Sequence, residues 1–306
     1  MRVGVVDLGT NSTRLLVADV DDGHVEEVER RLTITRLGEG VDERRKLLPL
    51  PIARVRNALS DYRRELERLG AERTLAVGTS AIRDAENGEA FLGEIEWSYG
   101  FATRLLSGDE EGELTRRGVS NGRALDAGTL VLDVGGGSTE LIADGFRTSL
   151  DLGCVRLTER FLHADPPAAD ELEAAAAEVR QALPELAPER AIGVAGTVTT
   201  LAALELGGYE RKRVHGYHIS REAVARELER LASLPLGVRR ALPGLEPERA
   251  PVIVAGVLIV REVLDRYGLS ELEASERDLL HGAALEAATL PATEEGDAPP
   301  GAYTCC

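Results

Sequence analysis

Apolar positions along the chain follow two rhythms, one of strands and one of helices. Arg2 to Val6 and Leu15 to Val20 are apolar runs on either side of a Gly9–Ser12 turn, which predicts a hairpin. His24 to Thr35 alternates charged and apolar residues and predicts a third strand. Val55, Leu59, Tyr62, Leu66 and Leu69 then recur at helical spacing. They predict a helix over Pro51–Leu69, with Pro51 in its first turn and Gly70 as its stop. Strands at Arg73–Gly78 and Ala102–Leu106 alternate with helices at Ala85–Trp97 and Asp109–Val119.

The polar stretch Ser120–Gly128 marks a domain boundary, and beyond it the order of elements starts again. Strands are predicted at Leu130–Asp133, Thr139–Ala143, Arg147–Leu152 and Arg190–Ala195. Helices are predicted at Val155–Leu162, Ala168–Leu183, after Gly196-Thr197, and at Arg221–Ala232, Pro251–Tyr267 and Arg277–Ala288. The expected domains are 1–123 and 124–290, followed by a Pro-, Gly- and acid-rich tail over 291–306 that reads as disordered.

The restart is an internal repeat. GVVDLGTNSTRLLVAD from Gly4 and LVLDVGGGSTELIAD from Leu130 share one plan: apolar strand, Asp, a Gly turn, Ser-Thr, apolar strand. Two copies predict related domains on either side of a cleft. Each turn carries its own chemistry. Small residues let the backbone approach a ligand closely, and successive backbone N–H groups form an anion-binding concavity. Thr10, Asn11 and Ser12 supply further donors in the first copy, and Gly135, Gly136, Gly137, Ser138 and Thr139 form the second. An acid beside a phosphate calls for a cation, so Asp7 and Asp133 are expected to hold Mg²⁺, directly or through water. A third strand ends in Gly196-Thr197 and opens a helix, whose N-terminus suits phosphate, although Thr197 as a plain cap reads equally well. The GxxxxGK[ST] nucleotide loop is absent from the sequence, as are HExxH and GxSxG.

Composition narrows the choice. The 306-residue chain has a net charge of −17, which disfavours nucleic-acid polymers as partners. Any polyanionic substrate needs local arginines or a metal to offset that field. The apolar runs are too short to span a membrane and no leader segment is recognisable, so a cytoplasmic protein is expected. Cys154, Cys305 and Cys306 form neither a zinc motif nor a disulfide framework.

Taken together, these motifs resemble the exopolyphosphatase / guanosine pentaphosphate phosphatase family, in its short two-domain form. The resemblance rests on DLGTNSTRLLV at Asp7, LGEGVD at Leu37, GTSAIRDAENG at Gly78, LLSGDEEGEL at Leu105, DVGGGSTEL at Asp133, GVAGTVTTLAAL at Gly193 and VHGYHIS at Val214. It implies an α/β fold of two actin-like (ribonuclease H-like) domains, and Mg²⁺-dependent hydrolysis of terminal phosphoanhydrides. By the same resemblance the catalytic glutamate falls on Glu111, with Glu110 one position away. Glu140 is the second acid and Arg83 the phosphate-facing arginine. Polyphosphate or guanosine pentaphosphate is the expected substrate, and a homodimer is the expected assembly. The family's late Asp-Arg-Gly segment is replaced here by Glu276-Arg-Asp-Leu-Leu-His-Gly282. Arg14, Arg36 and Arg211–Arg213 are candidates for lining a channel. An ATP-dependent kinase and a non-catalytic phosphate sensor are the competing readings of the same motifs.

Overall fold

A computed structural model describes residues 1–291. Past Pro291, the expected tail with Cys305 and Cys306 lies outside the described residues. The chain forms two compact units, one from Met1–Ala124 resumed at Leu279, the other from Leu125–Asp278.

Unit 1 holds β1 (Arg2–Leu8), β2 (Ser12–Asp21), β3 (His24–Ile34), β4 (Arg73–Gly78) and β5 (Ala102–Leu105), in the sheet order β3-β2-β1-β4-β5. The first three strands form an antiparallel meander, and β4 and β5 add parallel to β1. Unit 2 holds β6 (Thr129–Val134), β7 (Thr139–Ala143), β8 (Phe146–Leu150), β9 (Arg190–Val194), β10 (His218–Ser220) and β11 (Glu271–Ala274). Its order β10-β11-β9-β6-β7-β8 repeats the same plan, with β10 added antiparallel at the edge. This is the actin-like (ribonuclease H-like) α/β arrangement, present twice. Strands β10 and β11, three and four residues long, are not among the strands read from the sequence. Pairing with β9 and each other places them. Among the described residues, no helix is long and apolar enough to cross a membrane.

Both faces of each sheet are covered, so β1 and β6 are apolar on alternating sides up to their last turn. In β1, Val6 and Leu8 pack with Val55, Leu59 and Leu66 of the helix Pro49–Leu69. Val3 and Val5 pack on the other face with Leu114. Asp7 continues that second row, toward the helix Gly108–Val119.

One boundary differs from expectation. The helix Leu279–Ala287, assigned by sequence to the second domain, belongs to unit 1. Leu279, Leu280, Ala283, Ala284 and Ala287 cover Val3, Val5, Leu16 and Leu75, an apolar sheet face that would otherwise be wet. Gly282 permits the approach, since a Cβ there would stand 1.9 Å from the Leu114 carbonyl oxygen. Gly282→Val is therefore expected to cost about 1–3 kcal/mol through overpacking. Chemical denaturation followed by far-UV circular dichroism checks this, and an unchanged midpoint would contradict it.

The helix Gly108–Val119 begins with a reciprocal cap. Ser107 Oγ accepts from the Glu110 amide at 3.3 Å, and the Glu110 carboxylate accepts from the Ser107 amide at 2.8 Å. These bonds, with Arg104 alongside, hold the Glu110 carboxyl down at about 2, against a usual 4.5. A depressed carboxyl stabilises the fold above its ordinary range, and that contribution is lost as pH falls from 4.5 toward 2. Ser107→Ala should lower stability by about 1 kcal/mol at neutral pH. The deficit should shrink in acid, as measured by denaturation at a series of pH values.

Candidate active site

In unit 1 the strand ends are level: Leu8 pairs with Gly78, and Gly78 with Leu105. Everything that follows those residues therefore gathers at one carboxyl edge, where open α/β sheets bind ligands. After β1 comes the first loop. The Gly9 amide donates to the Ser12 carbonyl at 3.0 Å, closing the turn. The Thr10 carbonyl accepts from Gly38 N at 2.8 Å, and the Asn11 carbonyl from Thr35 N and Arg36 N at 3.2 and 2.9 Å. The chain after β3 thus straps the loop from behind. Arg36 takes a left-handed φ of 50° to do so, and Arg54 Nε holds the Thr35 carbonyl at 2.6 Å. A Cβ on Gly38 would stand 2.2 Å from Thr10 Cγ2. With the carbonyls tied back, the amides of Thr10 and Asn11 donate to no backbone carbonyl among the described residues. Asn11 Nδ2 is also buried without a hydrogen-bond partner. The donors thus collect on one side, as an anion requires.

Unit 2 uses the same device, with the backbone strap bonds shifted one residue earlier in the loop. Gly135 N donates to the Ser138 carbonyl at 3.0 Å. The carbonyl of Gly135 accepts from Cys154 N at 3.0 Å, and that of Gly136 from Val155 N and Arg156 N at 2.8 and 3.2 Å. Arg156 Nε reaches the Gly137 carbonyl at 2.7 Å. The strap here is the start of the helix Cys154–Phe161, and a Cβ on Gly153 would lie 2.3 Å from the Gly136 oxygen. The amides of Gly136 and Gly137 again donate to no backbone carbonyl among the described residues. Thr139 departs from expectation. Its hydroxyl donates to the Leu152 carbonyl at 2.5 Å, so its one proton is spent inside the fold.

The two aspartates have different partners across the hairpin. Asp7 faces Arg14, whose Nε donates to Asp7 Oδ2 at 2.8 Å. Arg14 thus takes up one oxygen of a carboxylate expected to hold a metal, while Asp7 Oδ1 is buried without a hydrogen-bond partner among the described residues. Asp133 faces Glu140 instead. Both carboxylates are buried, Glu140 at 1% exposure, and Ser149 Oγ donates to Glu140 Oε1 at 2.7 Å. Like charges directly opposite each other are destabilising, and a cation between them reverses that. Among the described residues no cluster of three or more metal-ligating side chains occurs. Mg²⁺, however, takes one or two carboxylates and completes its shell with water and phosphate oxygens, and Asp133 with Glu140 fit that demand.

At the other strand ends of unit 1, Arg83 follows β4 in a short turn, Ser80–Arg83. Its guanidinium donates to the Leu106 carbonyl at 2.8 Å and meets Glu111 Oε2 at 3.2 Å. Glu111 is buried, whereas neighbouring Glu110 is consumed by the cap and by Arg104. In unit 2, β9 enters the helix Ala195–Glu205 through Ala195 at a left-handed φ of 65°, a strained position for a residue with a Cβ. Arg249 lies against Gly196, where a Cβ would stand 1.8 Å from its guanidinium nitrogen. The Thr197 hydroxyl turns inward to Cys154, a buried thiol pushed up to about 11. Arg211 and Arg213 stand 3.8 and 3.9 Å from Glu276 and Glu210, so two of the expected channel cations already have acids beside them.

Sequence reasoning missed the straps and the buried Arg156 and Arg249. A signal was present. Leu37-Gly38 and Leu152-Gly153 each follow the third strand of their repeat, both leucines are buried, and both glycines pack under equivalent loop residues.

Comparison with known proteins identifies the family. The model of the Ppx/GppA phosphatase family matches residues 16–289. Exopolyphosphatase 2 of Mycobacterium tuberculosis is 39% identical, over 94% of this chain and 98% of its own. The guanosine-5'-triphosphate,3'-diphosphate pyrophosphatase of Vibrio vulnificus is 30% identical, over 92% of this chain and 58% of its own. The solved Ppx/GppA family member of Aquifex aeolicus superposes with a TM-score of 0.77 at 30% identity, covering 94% of this chain and 97% of its own. With its doubled strapped loops and a family model spanning most of its length, the chain belongs to the Ppx/GppA phosphatase family.

Proposed function

We propose that this protein is an exopolyphosphatase, a hydrolase that releases terminal orthophosphate from inorganic polyphosphate. One observation carries the reading most strongly. In both repeats the loop carbonyls are bonded from behind, and the amides left over suit a chain of phosphate oxygens. Guanosine pentaphosphate is the second reading, supported by the relative from Vibrio vulnificus.

Phosphoryl transfer needs positioning and charge neutralisation more than covalent help. The loop amides of Thr10, Asn11, Gly136 and Gly137 would bind phosphate oxygens, and Arg83 would offset the charge growing on the terminal phosphoryl. Glu111 would accept a proton from water as its oxygen attacks phosphorus. The bridging P–O bond then breaks, giving orthophosphate and a chain one phosphate shorter. Arg83 holds the Glu111 carboxylate by an ion pair and so fixes where the proton is taken. Asp133 and Glu140 would hold Mg²⁺, which supplies positive charge to phosphate oxygens when bound.

Two measurements test these roles. Glu111→Gln should lower kcat by about 10²–10⁴-fold while polyphosphate still binds. Glu110→Gln should leave turnover near wild type and reduce only stability, by about 1 kcal/mol. The opposite pattern in a phosphate-release assay would move the base to Glu110, and two fully active variants would remove both. Chelation should abolish turnover. Glu140→Gln should raise the Mg²⁺ concentration needed for half-maximal rate, and an unchanged Mg²⁺ titration would take Glu140 out of the metal site.

A further inference from the structure

The helical turn Val41–Arg44 and the residues after it carry Arg44, Arg45 and Lys46, all exposed. Most arginines in this acidic chain stand beside a carboxylate, as Arg14, Arg30, Arg54, Arg56 and Arg104 do. Among the described residues, no ion pair is made by Arg44, Arg45 or Lys46. Three consecutive cations left without acids are unusual in a chain of net charge −17.

Their backbone, by contrast, is firmly held. Val41 and Leu47 are buried in the core on either side of them. Arg45 N donates to the Val41 carbonyl at 2.8 Å, in a left-handed turn with φ of 53°. The Arg45 carbonyl accepts from Glu86 N at 2.8 Å. The Asn87 side chain bonds both Leu47 N and Leu47 O, at 2.8 and 3.1 Å. The same segment begins at Gly38, whose amide holds the Thr10 carbonyl. Its other attachment, Glu86–Asn87, follows Arg83 closely in sequence. A rigid ribbon therefore leads from the first phosphate loop, and it displays three cations while Asp42 and Glu43 occupy the turn before them.

We propose that Arg44, Arg45 and Lys46 form a subsite for the distal phosphates of a long polyphosphate chain, making unit 1 select for substrate length. This rests on the exopolyphosphatase reading. A polyanion with one charge per phosphate gains from each added cation, whereas a short substrate ends before reaching them. Single-stranded nucleic acid is the less favoured ligand, because no aromatic residue lies within the segment for a base to stack on.

The test compares the wild type with the triple variant Arg44→Gln, Arg45→Asn, Lys46→Gln. Asn is chosen because it tolerates the left-handed turn. Initial rates are measured on long-chain polyphosphate and on tripolyphosphate across a range of salt, with thermal midpoints as a check on folding. The variant should show a KM for long chains raised about tenfold, a shallower salt dependence, and unchanged kcat/KM on tripolyphosphate. Arg44→Lys with Arg45→Lys should keep wild-type length preference. Identical length dependence in variant and wild type would overturn this inference alone, as would equal losses on both substrates. Weakened binding of single-stranded DNA with an unchanged polyphosphate KM would also overturn it, assigning the cations to nucleic acid. A wild-type enzyme that neither binds nor hydrolyses long polyphosphate would overturn the proposed function as well.

Discussion

The structure turns on how the two loops dispose of their carbonyl groups. A glycine-containing turn left to itself presents oxygens and amides in all directions, and an anion gains little from it. Here each repeat closes a strap under its loop, and the strap's N–H groups take the oxygens: Thr35, Arg36 and Gly38 in one copy, Cys154, Val155 and Arg156 in the other. The loop becomes one-sided. A backbone polar group must be satisfied somewhere, so fixing where the acceptors go also fixes where the donors point. The glycines at 38 and 153 follow from the same constraint, because any side chain there would push strap and loop apart.

Much of this was legible in the sequence, and the limits have physical causes. The repeat, the meander and the parallel strands β4 and β9 could be read from alternation and turn residues. The positions of Arg83 and Glu111 came from family resemblance, and the structure pairs their side chains. What could not be read was anything set by long-range pairing. Strands β10 and β11 exist because β9 offers them an edge. The inward turn of Thr139 depends on Leu152, thirteen residues away. The separate fates of Glu110 and Glu111 depend on which carboxylate the cap uses. The helix Leu279–Ala287 looks the same by periodicity whichever core it joins.

The twin hairpins also show how one plan takes on two electrostatic characters. The loops align without a gap, and the residue opposite the aspartate is Arg14 in one and Glu140 in the other. The first hairpin carries its own countercharge, and the second lacks one at that position. Exchanging the residue type at that one ladder position puts a cation beside one aspartate and a second acid beside the other.

The return of the chain to unit 1 bears on how the molecule is made. Leu279–Ala287 seals Val3, Val5 and Leu75, yet it is synthesised after the whole of unit 2. During translation the amino-terminal sheet must wait with part of one apolar face uncovered, while Leu125–Asp278 has all its strands in hand as soon as it leaves the ribosome. Leu125–Asp278 is thus able to mature first, and the opening unit stays unfinished, with a sticky surface open to chaperones, until Leu279–Ala287 arrives.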